Sequence, residues 1–201
     1  MNIFINLYNI MQIASHPLLS GIVKHYLIIA HNKRVPVNYR LFSDGNPGMV
    51  FHLKAPLLQY DQHRVASKQA GSFVYGQITH YNDITSVGEL AMLIVVLQPN
   101  ALLTLLGVAA YELNNNTVPL RDIFGQEGAD LEDQIANVED LSAAATIAEQ
   151  FLLKKIAFNI SDTGVTSQAI NIIQKHGGIM NVKNLLDVLP VTERQLERRF
   201  N

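Results

Sequence analysis

The sequence predicts an α+β chain: a β-rich N-terminal barrel- or sandwich-like domain with packed linking helices, then a partial all-α helix-turn-helix domain. Three observations predict it. Short apolar runs separated by turn residues fill the first hundred positions, the mark of several short strands. After Pro99 the apolar spacing becomes helical. Two short, cappable segments joined by a tight turn stand at the far end of the sequence.

The strand candidates are residues 21–29, 37–42, 49–53, 57–60, 73–79 and 90–97. Turn residues at 43–48, 70–72 and 82–83 separate them, because Gly, Asn, Asp and Pro supply the backbone angles that chain reversal needs. Residues 91–97 are apolar almost throughout, which implies a strand buried on both faces.

Pro99 suits the first turn of a helix carrying Leu102, Leu103, Leu105 and Leu106, with Gly107 as its stop. A short helix is expected over 117–124, ended by Gly125. Leu131, Ile135 and Val138 give helical spacing around residues 129–137. Over 140–158, Leu141, Ala144, Ala145, Ala148, Phe151, Leu152 and Ile156 line one stripe. Core packing is the expected use of that stripe. A homodimer seam is the alternative, since alanines permit close helix approach. Asp122, Glu127, Asp130, Glu132, Asp133, Glu139 and Asp140 make the same region acidic, which suits a solvated face and helix first turns better than a metal site or docking surface.

Composition narrows the function. Apolar residues make up 48% of the 201 and charged residues 16%, as in a folded globular protein. A formal charge of −2 means that any nucleic-acid surface must be local. The absence of cysteine excludes disulfides, thiolate metal sites and thiol nucleophiles. The apolar N-terminus has no basic region before it and no window of membrane-spanning length, so a cytoplasmic protein without a membrane partner is expected. Glycosylation acceptor patterns at Asn115 and Asn159 carry no weight without a secretion signal.

Catalysis is not expected. The seven histidines form no H-x-H or H-E-x-x-H pair, and no phosphate loop, nucleophile elbow or dinucleotide fingerprint is present. No metal and no cofactor is implied. His52 and His80 read as surface or hydrogen-bonded histidines, and Ser72 lacks an evident base.

Residues 161–164 read as a linker, dividing the chain into domains at 1–160 and 161–201. Thr166 or Ser167 can cap a helix bearing Ala169, Ile170, Ile172 and Ile173, stopped by Gly177 and Gly178. Asn181 caps a second, with Leu185, Leu186 and Leu189, which Pro190 breaks. Thr192 caps a third over 192–200. Leu196 and Phe200 lie four apart and face inward, leaving Arg194, Gln195, Glu197 and Arg198 outside. Arginine pairs bidentately with guanine, glutamine with adenine, and glutamate accepts from cytosine. An ordinary charged surface helix has the same pattern, with Glu193–Glu197 and Arg194–Arg198 at pairing distance.

The stretch from Ser167 to Phe200, ending V-T-E-R-Q-L-E-R-R-F, resembles the first helix-turn-helix of AraC/XylS-type transcription regulators. Residues 42–53, 71–77 and 120–125 also resemble the N-terminal domain of one branch of that family. The resemblance implies a β-rich sensory or dimerisation module followed by a domain that reads double-stranded DNA through Thr192, Arg194, Gln195, Glu197 and Arg198. It also implies that the family's second helix-turn-helix is missing, so the chain would stop partway through the DNA-binding region and would by itself bind specific DNA weakly or not at all, double-stranded DNA being the partner of the full-length protein. Two positions depart from the family: Leu186 replaces a small residue and Pro190 a glycine, so the turn before Thr192 must take another geometry. A small-molecule effector in the β-rich domain is one reading, with Tyr26, Tyr39, Tyr75 and Gln77 as the polar strand residues to inspect; core packing with locally satisfied hydroxyls is the expected use of each, and a domain that serves only to dimerise is a further reading. The alternative is a dimerising or ligand-binding module that binds no DNA itself.

Overall fold

The computed structural model describes residues 9–42, 44–60, 63–108, 110–158 and 164–200. Its first five strands are β1 (Asn9–Ala14), β2 (Val23–His31), β3 (Val37–Leu41), β4 (Gly48–His52) and β5 (Leu58–Tyr60). The next five are β6 (Ala66–Lys68), β7 (Ser72–Tyr75), β8 (Asn82–Ser86), β9 (Leu90–Leu97) and β10 (Thr117–Pro119). Every pairing is antiparallel. The larger sheet runs β1-β2-β9-β4-β7-β10 and the smaller β3-β8-β5-β6.

β9 organises the unit. Flanked by β2 and β4, it is buried at all eight positions, as its unbroken apolar run requires. Alternation then splits its side chains between two cores. Leu93, Val95 and Leu97 join Tyr26, Ile28, Met49, Phe51 and Val74 under the helices. Leu90, Met92, Ile94 and Val96 join Leu27, Ile29, Val50 and Phe73 on the opposite face, where they meet Ile84 of the smaller sheet. Each such side chain contributes roughly 1.5–3 kcal/mol on burial.

The helices are α1 (Ala101–Leu106), α2 (Leu120–Phe124), α3 (Gln126–Ala136) and α4 (Leu141–Phe158), followed by α5 (Gly164–Lys175), α6 (Val182–Leu186) and α7 (Glu193–Phe200). The alanine stripe of α4 is spent inside the molecule. Ala144, Ala145, Ala148 and Leu152 are buried against the outer face of the larger sheet, so their small size brings α4 close to its own β strands. Asp140 starts this helix: its carboxylate accepts from the Ser142 backbone N–H at 3.0 Å and from the Ser142 hydroxyl.

Several sequence expectations change. Asn82 and Asp83 are not breakers; they open β8, because Arg40 and Asp83 sit opposite each other and join in a bidentate ion pair at 2.7 and 2.8 Å. Residues 117–119 pair with β7, and the expected helix starts only at Leu120. Pro119 is tolerated there because β10 is an edge strand. β7 stops at Tyr75 rather than Thr79. Beyond it Gly76 packs against the Leu113 carbonyl, closer than any β-carbon could approach. β1 and β6 were not foreseen: the one lies in an N-terminal segment with interrupting polar residues, the other is fully exposed and polar.

In the C-terminal helices, Ala169, Leu185, Leu189 and Leu196 form a separate small core. α5 begins at Gly164, so Thr166 and Ser167 lie within it rather than at its cap, and their side chains are outside the described residues. Of the linker expected over 161–164, residues 161–163 also lie outside them. Gly177 and Gly178 end α5 with φ of 68° and 81°, and the Gly178 N–H reaches back to the Ile173 carbonyl at 3.0 Å. Asn181 caps α6 by accepting from the Lys183 N–H at 2.9 Å.

Candidate functional site

The inner faces of the two sheets enclose a cavity of about 520 Å³. Ile29, Val50, Phe73, Met92, Ile94 and Ile84 make its walls apolar. That is the size and lining usual for a small-molecule site. Strand register places two polar clusters toward one end. In the first, His31 Nε2 and the Tyr39 hydroxyl lie 2.6 Å apart, with the Ser86 hydroxyl 3.3 Å from the same nitrogen. In the second, His52 Nε2 donates to Gln69 Oε1 at 3.1 Å, and Gln69 Nε2 donates to Gln59 Oε1 at 3.4 Å. Burial lowers the pKa of both histidines, His52 down to about 4, so both rings are neutral near pH 7.

The four side chains singled out in the sequence divide evenly. Tyr39 and Tyr75 line the cavity. Tyr75 crosses it beside Gly48, where a β-carbon would stand 2.5 Å from the tyrosine hydroxyl. Burial, with the Asp44 carboxylate adding to it, pushes the Tyr75 phenol upward. Tyr26 points the other way, into the core beneath the helices. Its phenol is also pushed up by burial and then by Glu149, a charge–dipole contact that misses hydrogen-bond geometry. Gln77 is exposed beyond the end of β7 and meets Asn115 only through its backbone carbonyl. Strand alternation separates Tyr26 from the cavity, and the early end of β7 removes Gln77. Gln59 and Gln69 were missed. For Gln59 the available signal was a polar side chain at an inward position of a short strand, whereas Gln69 follows the end of β6 and carried no such signal.

The acidic stretch is used piecemeal. Glu132 accepts from the buried Ser72 hydroxyl and pairs with Arg121 at 3.4 Å. Glu127 pairs with Lys155, and Asp130 accepts from Gln126 at 2.7 Å. Among the described residues no three His, Asp or Glu side chains stand close enough to share a metal ion. No helix in them is long and apolar enough to cross a membrane.

In the C-terminal helices Thr192 and Gln195 cap α7 reciprocally. The Thr192 hydroxyl accepts from the Gln195 N–H at 3.3 Å, and Gln195 Oε1 accepts from the Thr192 N–H at 2.9 Å. The Gln195 Oε1 is therefore committed to its own backbone, which rules out a two-bond contact to a base through both amide atoms. Leu196 is buried, whereas Arg194, Glu197 and Arg198 are exposed. At 100° per residue Arg194 and Arg198 fall one turn apart on the face opposite Leu196. Residues 161–201 carry Lys175, Lys183, Arg194, Arg198 and Arg199 against Asp162, Asp187, Glu193 and Glu197, a small local positive excess in a chain of net charge −2. Pro190 is accommodated by a tight reversal in which the Val191 N–H meets the Leu189 carbonyl at 2.8 Å, with no left-handed residue there. Leu186 packs against the same small core. The Phe200 side chain, expected to anchor α7, is outside the described residues.

A two-sheet β unit around an apolar cavity, carrying a helical layer and accompanied by a trihelical segment with two outward arginines, defines the class: an α+β protein with a small-molecule-sized interior. Residues 11–119 match the family model described as Domain of unknown function (DUF6597), and the chain belongs to that family. No curated protein matches it. Among solved structures, unsaturated fatty acid-bound ToxT from Vibrio cholerae aligns at a TM-score of 0.42 and 9% identity, over 87% of this chain and 72% of that one. The AraC-like transcriptional activator CuxR aligns at 0.36 and 13%, over 96% and 80%. An ethanolamine utilization protein Q from Salmonella typhimurium aligns at 0.34 and 8%, over 47% and 72%. None of these identities transfers a residue's role.

Proposed function

We propose that this chain is a transcription regulator of the AraC/XylS type, whose β-rich unit takes a small-molecule effector and whose α5–α7 segment meets DNA. The observation that carries the reading is α7: capped at both hydrogen-bonding positions, seated by Leu196, and presenting Arg194 and Arg198 outward within a locally basic segment. Those are the features that a recognition helix needs, a rigid start and long polar side chains at its N-terminal end. The V-T-E-R-Q-L-E-R-R-F string supports the same family independently of the geometry. Arg194, Glu197 and Arg198 are the base-reading side chains in this reading, with Thr192 and Gln195 holding the helix. The 1–160 and 161–201 division supplies one unit for each role. The apolar cavity supports an effector site.

The test is fluorescence anisotropy of the full-length protein against duplexes selected from a random pool, beginning at low salt because phosphate contacts dominate there. Binding should weaken steeply as salt rises. Arg198→Ala should cost about 1–3 kcal/mol and relax selectivity at one base pair. A uniform loss on all sequences would make Arg198 a phosphate contact. Absence of any duplex binding that depends on Arg194 and Arg198 would refute the DNA reading and leave a ligand-binding module.

A further inference from the structure

We infer that the cavity selects an uncharged, largely apolar ligand whose single hydrogen-bond acceptor docks on the Gln59–Gln69–His52 relay. This rests on reading the cavity as the effector site and adds the chemistry of what enters it.

Charge decides the class. Arg40 is the only cation among the described lining residues, and its guanidinium is already occupied. Asp83 holds it through two hydrogen bonds, and it covers the Tyr81 ring at 4.0 Å on the exposed side of β3. The two histidines at the polar end are neutral. A carboxylate or phosphate buried between these sheets would lose its hydration and meet no counter-charge, which costs several kcal/mol. A buried ammonium ion fares little better, since Asp44, the one acid among the described lining residues, is exposed rather than buried between the sheets.

Hydrogen-bond direction decides the polar group. Neutral His52 donates from Nε2, because Gln69 Oε1 can only accept. Gln69 then donates to Gln59 Oε1, which fixes that amide and turns its Nε2 into the free end of the chain. Gln59 Nε2 makes no hydrogen bond among the described residues, and Gln59 lines the cavity. The register puts Gln59 opposite Ile84, in the row that also holds Tyr39, so its side chain enters between apolar walls. A ligand hydroxyl, carbonyl or ether oxygen completes the relay.

The test uses the whole chain and a neutral fluorophore, N-phenylnaphthylamine, displaced by decanol, decanoate or decylamine at a pH where the latter two are ionised. Decanol should displace it at least tenfold more effectively than either ion. Gln59→Leu should weaken decanol about tenfold, one hydrogen bond's worth, with no loss for the fluorophore. Ile94→Trp, which fills the cavity, should abolish fluorophore binding; circular dichroism checks that it folds, and the comparison on the unaltered chain stands without it. Equal or stronger displacement by decanoate or decylamine would overturn the uncharged class and leave the effector site standing. An unaltered affinity for decanol in Gln59→Leu would overturn the relay as its anchor. No binding of any of these probes would overturn the effector site and this inference with it.

Discussion

Acidification should destabilise the β unit through His52, by an amount that follows from its burial. The ring is 6% exposed, and burial holds its pKa down at about 4, against 6.5 for a free histidine. The unfolded chain therefore takes up a proton below pH 6.5 that the native state refuses until pH 4. Stability is fully present above 6.5 and is lost as pH falls toward 4. With about 1.4 kcal/mol per pKa unit, the loss from this one group reaches about 2 kcal/mol at pH 5 and about 3 kcal/mol at pH 4. His25 and His31 are also lowered by burial and act in the same direction, so the group must be isolated by difference. Urea titrations of the parent chain and of His52→Phe, at pH 7 and pH 4.5, provide that difference. All seven tyrosines precede residue 112 and there is no tryptophan, so tyrosine fluorescence reports the β unit alone. The variant loses the Gln69 hydrogen bond and starts less stable, yet it should lose roughly 2–3 kcal/mol less between the two pH values. Equal losses in both proteins would refute the neutral, buried assignment of His52.

Two further predictions concern packing and capping. Gly76→Ala places a β-carbon inside the Leu113 carbonyl, a backbone atom that cannot step aside. It should cost about 1–3 kcal/mol and lower Tm by several degrees, read by thermal melting of the tyrosine signal; an unchanged Tm would show that the 113–116 turn moves freely. Thr192→Ala removes the hydroxyl that receives the Gln195 N–H and should cost α7 about 1 kcal/mol. Faster amide exchange at Gln195, with exchange in β9 unchanged, is the expected signature, and unaltered exchange would refute the reciprocal cap.

Much of the fold was legible in the sequence because one-dimensional patterns report burial directly. The unbroken apolar run of β9 announced a strand covered on both faces, and Asn181, Gly177 and Gly178 announced helix ends by their own chemistry. The V-T-E-R-Q-L-E-R-R-F string placed a capped helix with outward arginines at the right residues. Other features depended on partners far along the chain. Asp83 looked like a turn residue until Arg40, distant in sequence, made it half of a cross-strand pair. Gln195 looked free to read a base until its amide closed on Thr192.

The sequence by itself determined the order of β and helical regions, the caps of α6 and α7, and the local charge of the C-terminal segment, since each depends on neighbouring residues. The tertiary structure alone decided which strand face looks into the cavity. Tyr26 and Tyr39 are equally good strand tyrosines, yet register and sheet pairing turn one toward the helices and the other toward the interior. The same pairing assembles Gln59, Gln69 and His52, from three separate segments, into one relay. A residue's face follows from its own strand, but what that face meets is set by strands paired across the sheet and stacked against it, and no local pattern encodes that choice.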